Sequence, residues 1–129
     1  MKLKVIGLLF LFIGVTSCLK NQVDGVQVLD ATTFEKKMNQ PEVQLVDVRT
    51  PEEFGQGHLE NALNIDFMAD DFDAKAATLD KEKPVMVYCK SGGRSAKASA
   101  RLKALGFKTI TDLEGGIINW TKEQKPTVK

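Results

Sequence analysis

Val85-Met86-Val87-Tyr88-Cys89-Lys90-Ser91-Gly92-Gly93-Arg94-Ser95 reads as a strand, a glycine turn and the opening of a helix. Residues Val85 to Cys89 are apolar in succession rather than in alternation, so this strand is expected to be buried on both faces and central in its sheet. Ser95 to Leu105 is rich in alanine and leucine and stops at Gly106, which predicts a helix with a left-handed glycine cap. Outward from this unit the pattern repeats. Strands are expected at Val26–Leu29, Val43–Val48, Ala62–Ile65 and Thr109–Leu113, separated by helical spacings. Asp30 or Thr32 caps the first helix, which carries Phe34 and Met38 on one side. Thr50-Pro51-Glu52-Glu53 is a capping box with proline in the first helical position. Phe72, Ala76 and Leu79 give a helical spacing within 68–79, and Gly115-Gly116 opens a last helix with Ile117, Ile118 and Trp120. Strands alternating with helices define an α/β domain with a parallel sheet.

The thiol of Cys89 stands at the end of the central strand, where the next helix presents unpaired backbone N–H groups and the positive end of its dipole. Such a site stabilises an anion by up to ~2 kcal/mol, and a thiolate is the nucleophilic form of cysteine. Lys90 and Arg94 add positive charge, and Gly92 and Gly93 permit the tight backbone path that brings several N–H groups onto one atom. Cys89 is therefore the candidate nucleophile. The bland alternative is a small buried hydrophobe that closes a strand.

The 129 residues suffice for one domain. Formal charge is +1, and without Lys2 and Lys4 the remainder is near −1, so no basic field points to nucleic acid. Lys2 and Lys4 precede an apolar run from Val5 to Val15 of about 11 residues, shorter than the roughly 20 of a membrane-spanning helix. Residues 1–17 thus read as a secretory signal. Val15-Thr16-Ser17-Cys18 resembles a bacterial lipobox, which implies lipidation of Cys18 and an exported lipoprotein held at a membrane of the cell envelope or in the periplasm. An ordinary signal cleaved near Ser17 is the alternative. With Cys18 lipidated, Cys89 has no partner for a disulfide in its own chain. Residues 18–25 read as a tether, 26–125 as the domain and 126–129 as a tail.

Taken together, Asp47-Val48-Arg49, Pro51-Glu52-Glu53-Phe54, Gly57-His58-Leu59, Ala62, Asn64-Ile65, Cys89 to Ser95, Gly115-Gly116 and Trp120 resemble the single-domain rhodaneses in order and spacing. The resemblance implies a three-layer fold, a five-stranded parallel sheet flanked by helices, and a Cys89 persulfide formed without cofactor or metal. It implies that Lys90, Ser91, Gly92, Gly93, Arg94 and Ser95 wrap the sulfur and bind substrate. The implied reaction takes sulfane sulfur from a small anionic donor such as thiosulfate to cyanide or a thiol, with Arg94 placed to neutralise departing sulfite. The chain departs from the family pattern at Asn61, where glycine is usual, at Leu59 for isoleucine, and at Lys90 for arginine.

Two other functions compete. Related phosphatases and arsenate reductases place five residues between cysteine and arginine, whereas Cys89 and Arg94 enclose four, a ring better sized for one sulfur atom. A module that carries a persulfide to a protein acceptor, or binds sulfide, would need the same loop and a tether. His58 sits in a turn and reads as structural. Asp47 and Arg49 read as a scaffold pair, with substrate contact by Arg49 the alternative, and Trp120 reads as packing. Asp70, Asp71 and Asp73 read as a solvated helix start without calcium-loop spacing.

Overall fold

The computed structural model describes residues 24–129. Ten elements alternate: β1 Val26–Leu29, α1 Ala31–Met38, β2 Gln44–Asp47, α2 Pro51–Gln56, β3 Leu63–Asn64, α3 Phe72–Ala76, β4 Val85–Tyr88, α4 Gly93–Ala104, β5 Ile110–Leu113 and α5 Gly116–Lys122. All pairings are parallel, in the order β1-β5-β4-β2-β3. β4 is central and buried along its whole length, as its unbroken apolar run requires.

Side-chain alternation along β4 divides the core in two. Val85, Val87 and Cys89 pack with Phe72, Ala76, Ala98, Leu102 and Ile110 on the α3/α4 face. Met86 and Tyr88 pack with Phe34, Leu113, Ile117 and Trp120 on the α1/α5 face. Burial of each such side chain contributes ~1.5–3 kcal/mol. Trp120 is buried edge-on against Phe34, 6.5 Å between ring centres, and its indole N–H donates to Pro126 O at 2.9 Å.

Local signals set the helix ends. Asp30 accepts from Thr33 N at 2.8 Å, and the full capping box forms at Thr50. Gly106 takes φ +100, the left-handed cap expected of it, and Asn61 takes φ +66, a left-handed turn that asparagine tolerates.

Several boundaries differ from expectation. β3 has two paired residues rather than four because it lies at the sheet edge, with β2 as its sole partner. The helix expected within 68–79 is regular over Phe72–Ala76 and otherwise turns. α4 begins at Gly93 rather than Ser95, since the left-handed Gly92, φ +110, already turns the chain into the helix. The expected tail is attached: His58 and Val128 exchange backbone hydrogen bonds of 2.9 and 2.8 Å. The expected signal, Cys18 and all but the last two residues of the tether lie outside the described residues.

Candidate active site

Next to β4 the chain leaves β2 toward β3, while from β4 it crosses to β5 on the other side. Neighbouring strands whose connections diverge leave a crevice at their carboxyl ends, the usual ligand position in parallel α/β sheets. Cys89 follows β4 at that crevice, and Arg49 and Thr50 follow β2.

Cys89 is only 1% exposed. Its Sγ lies 3.1 Å from the Gly92 N–H and 3.4 Å from Ser95 Oγ. Several converging N–H groups were expected; Gly92 supplies the one within hydrogen-bond distance among the described contacts. Ser95 is fully buried and its hydroxyl donates to Gly92 O at 3.3 Å. Ala96 N bonds Gly92 O at 3.1 Å. The amides of Gly93, Arg94 and Ser95 lie in the first helical turn, which has no intrahelical acceptors for them. Lys90, Ser91 and Gly93 are exposed.

Two supports hold this loop, and neither is evident from the loop's own sequence. The first is the start of α5. Ile117 N donates to Cys89 O at 2.9 Å and Ile118 N to Lys90 O at 3.1 Å. Because C=O and N–H point oppositely across a planar trans peptide, capture of these two carbonyls turns the following amides, of Lys90 and Ser91, away from α5. The approach is so close that a Cβ on Gly116, φ +61, would stand 2.4 Å from Lys90 O.

The second support is Glu53. Its carboxylate accepts from Arg94 Nη1 at 2.6 Å and Nη2 at 2.9 Å, while Oε1 also accepts from Thr50 Oγ1 at 3.1 Å. Arg94 stands in the first turn of α4, where the helix dipole disfavours a cation; Glu53 offsets that charge and ties α4 to α2. The Arg94 guanidinium, helped by Thr50, holds the Glu53 carboxyl at about 2 against the opposing effect of burial. Arg94 was expected to face a departing anion, but its fork is occupied by Glu53. The capping box revealed one role of Glu53; its partner 41 residues on carried no local signal.

The expected scaffold residues behave as such. Asp47 is fully buried and takes Arg49 in a two-point pair at 2.7 and 3.0 Å, with Arg49 Nη2 also donating to Gly57 O at 2.7 Å. His58 stacks on Phe54 at 3.7 Å and its Nδ1 lies 2.9 Å from Phe54 O. Asp71 pairs with Lys75 and Asp73 with Arg101, so two of the three acids near α3 serve ion pairs. Beside the loop opens a cleft of about 250 Å³ whose walls include Arg49, Glu53, Lys90, Ile117, Ile118 and Thr127.

A parallel α/β sheet with a buried cysteine at its switch point, facing a helix start, places a sulfur atom where such sheets hold their ligands. The sequence pattern of the rhodanese-like domain matches residues 30–123, and the chain belongs to that family. It is 34% identical over 104 residues to a sulfurtransferase of Allochromatium vinosum, covering 80% of this chain and 95% of that protein. Against a chloroplastic thiosulfate sulfurtransferase of Arabidopsis thaliana it is 37% identical over 92 residues, 64% of this chain and 77% of the relative. The crystal structure of a rhodanese-related protein from Thermoplasma volcanium superposes with a TM-score of 0.70 at 32% identity, covering 79% of this chain and 97% of that one.

Proposed function

We propose that the protein is a sulfurtransferase acting through a Cys89 persulfide. The observation that carries this is the short contact between the Gly92 N–H and Cys89 Sγ, 3.1 Å, at the start of α4. It favours negative charge on sulfur before and after transfer. The thiolate attacks the outer sulfur of thiosulfate, the S–S bond breaks, and sulfite leaves with the bonding electron pair. Cyanide or a thiolate then takes the outer sulfur as thiocyanate or a new persulfide, and Cys89 returns as thiolate. Division into two displacements is covalent catalysis. The first-turn amides of α4 are available to the outer sulfur, and exposed Lys90 guides the donor.

Thiosulfate as donor is supported by the name of the Arabidopsis relative. The 1% exposure of Cys89 favours small donors and acceptors over a protein surface. Mass spectrometry of the protein treated with thiosulfate alone should show a gain of one sulfur, and Cys89→Ala should abolish both this gain and thiocyanate formation. Absence of the adduct in wild type would overturn the persulfide.

Attachment to an envelope membrane through lipidated Cys18 is part of the same proposal, supported by Val15-Thr16-Ser17-Cys18. The N-terminal peptide of membrane-isolated protein should carry the mass of acyl chains. An unmodified Cys18 peptide would remove the anchor without touching the sulfur chemistry.

A further inference from the structure

On β5, Ile110 packs toward α3 and α4, so Asp112, two residues on, faces the same layer. Its parallel neighbour Val87 lies on β4 in register with it, and Cys89 follows on the same face. From α4, Ser95 and Ser99, one turn apart, stand in this layer and are both fully buried. A carboxylic acid, two hydroxyls and a thiol thus share a buried layer, with Asp112 itself 5% exposed. Asp112 Oδ1 and Ser99 Oγ have no hydrogen-bond partner. Buried polar atoms are rarely left so.

We propose that Asp112, acting through Ser95, is the resident acceptor for the Cys89 thiol proton. Ser95 Oγ is 3.4 Å from Cys89 Sγ, and its own proton is held by a long 3.3 Å bond to Gly92 O, so the hydroxyl can turn toward Asp112. The transfer balances without any external group. Cys89 S–H gives its proton to Ser95 Oγ as the Ser95 hydroxyl proton passes to the Asp112 carboxylate, leaving a thiolate and a neutral acid. One negative charge moves from carboxylate to sulfur, into reach of the Gly92 amide.

Burial pushes the Asp112 carboxyl up to about 6, against the lowering effect of the nearby Ser95 hydroxyl and Leu113 amide. Ser95 from α4 acts on it, Ser99 and Cys89 are buried in the same layer, and β1 places Val28 in register. No charged side chain contributes to its shift. Asp112 thus has the affinity to hold a proton near neutrality.

This inference rests on Cys89 reacting as a thiolate, and the experiment reads ionisation alone, so loss of sulfur transfer would not decide it. Two groups that share a proton titrate in two steps belonging to the pair, and their coupling is reciprocal. The carboxyl ¹³C resonance of Asp112 should titrate in two steps in wild type and in one step near pH 6 in Cys89→Ala. Identical curves would overturn the proposal. Independently, the rate of Cys89 alkylation should show a limb near pH 6 that disappears in Asp112→Asn, with the rate at pH 7 falling about tenfold, equivalent to one pKa unit. Ser95→Ala should reproduce that loss, Ser95→Thr should restore the limb, and Asp112→Asn added to Ser95→Ala should cost nothing more. A limb unchanged in Asp112→Asn counts against the relay. If either variant fails to fold, the comparison of wild type with Cys89→Ala still decides it.

Discussion

The turns that follow β4 and β5 are built alike and used in opposite senses. Each leaves a buried parallel strand, passes a left-handed glycine, Gly92 at φ +110 or Gly115 at φ +72, and enters a helix whose first residue is again glycine. The first turn aims an amide at a sulfur atom. The second gives its helix-start amides to the carbonyls of the first. A helix N-terminus supplies unpaired donors in both places; what differs is the acceptor. One end is left facing the Cys89 sulfur, and the other holds that end still.

The contrast is sharpest at the second glycine of each pair. A methyl group at Gly116 would meet Lys90 O at 2.4 Å in a left-handed backbone, while at Gly93 it would meet nothing within 4 Å. Gly116→Ala should be the most damaging change outside Cys89. It combines a left-handed penalty of ~1–2 kcal/mol with overpacking of ~1–3 kcal/mol, so denaturant unfolding should report a loss of about 2–5 kcal/mol. Sulfur transfer should fall at least about a hundredfold, since a displacement on the order of 1 Å at a reacting centre has that effect. An active, stable Gly116→Ala protein would show that the second turn does not brace the first.

Glu53→Gln tests the other support. It leaves the capping-box hydrogen bonds available but removes the charge paired with Arg94, and we expect thiosulfate turnover to fall about tenfold, one charge-assisted interaction of ~1.5 kcal/mol, with a smaller change in stability. The pH dependence has a definite sign. The folded-state value of Glu53, about 2, lies below its ordinary 4.5, so the unfolded chain binds more protons between them. The stabilisation is complete above 4.5 and is lost as pH falls through about 2. Wild type should therefore lose more stability than Glu53→Gln on acidification across this window, as read by thermal unfolding; parallel curves would show the pair to be idle. The smallest effect belongs to Gly93→Ala. With an open site and helical geometry it should raise stability by up to ~1 kcal/mol and leave transfer within about twofold, because one exposed methyl adds no charge to the loop.

Much of this comparison is legible before folding. The unbroken apolar run of Val85 to Cys89 gave its central position, and Thr50-Pro51-Glu52-Glu53 its helix start, because both signals lie within a few residues. Cys89 was legible as the candidate nucleophile for the same reason. The Glu53–Arg94 pair was not, since each residue already has a local explanation as a helix-start residue and a loop cation. Asp112 lies in a strand whose neighbours Ile110 and Leu113 announce burial, yet what it faces depends on parallel register with β4. Gly115-Gly116 announced a helix start but not the backbone pressed against it. The two-residue β3 fell short because the Ala62–Ile65 pattern records burial, while pairing at an edge needs a partner strand.

Capture of the Cys89 and Lys90 carbonyls by Ile117 and Ile118 also bears on the time course of folding. The thiol's surroundings are completed by α5, which follows β4, α4 and β5 along the chain, and every strand pairing in the sheet is parallel and long-range, a topology that forms slowly. During synthesis the chain therefore carries Cys89 without the support of α5 well after β4 has emerged. Under the proposed mechanism the loop is braced only when α5 docks, so chemical trapping of Cys89 would serve as a clock for that docking step.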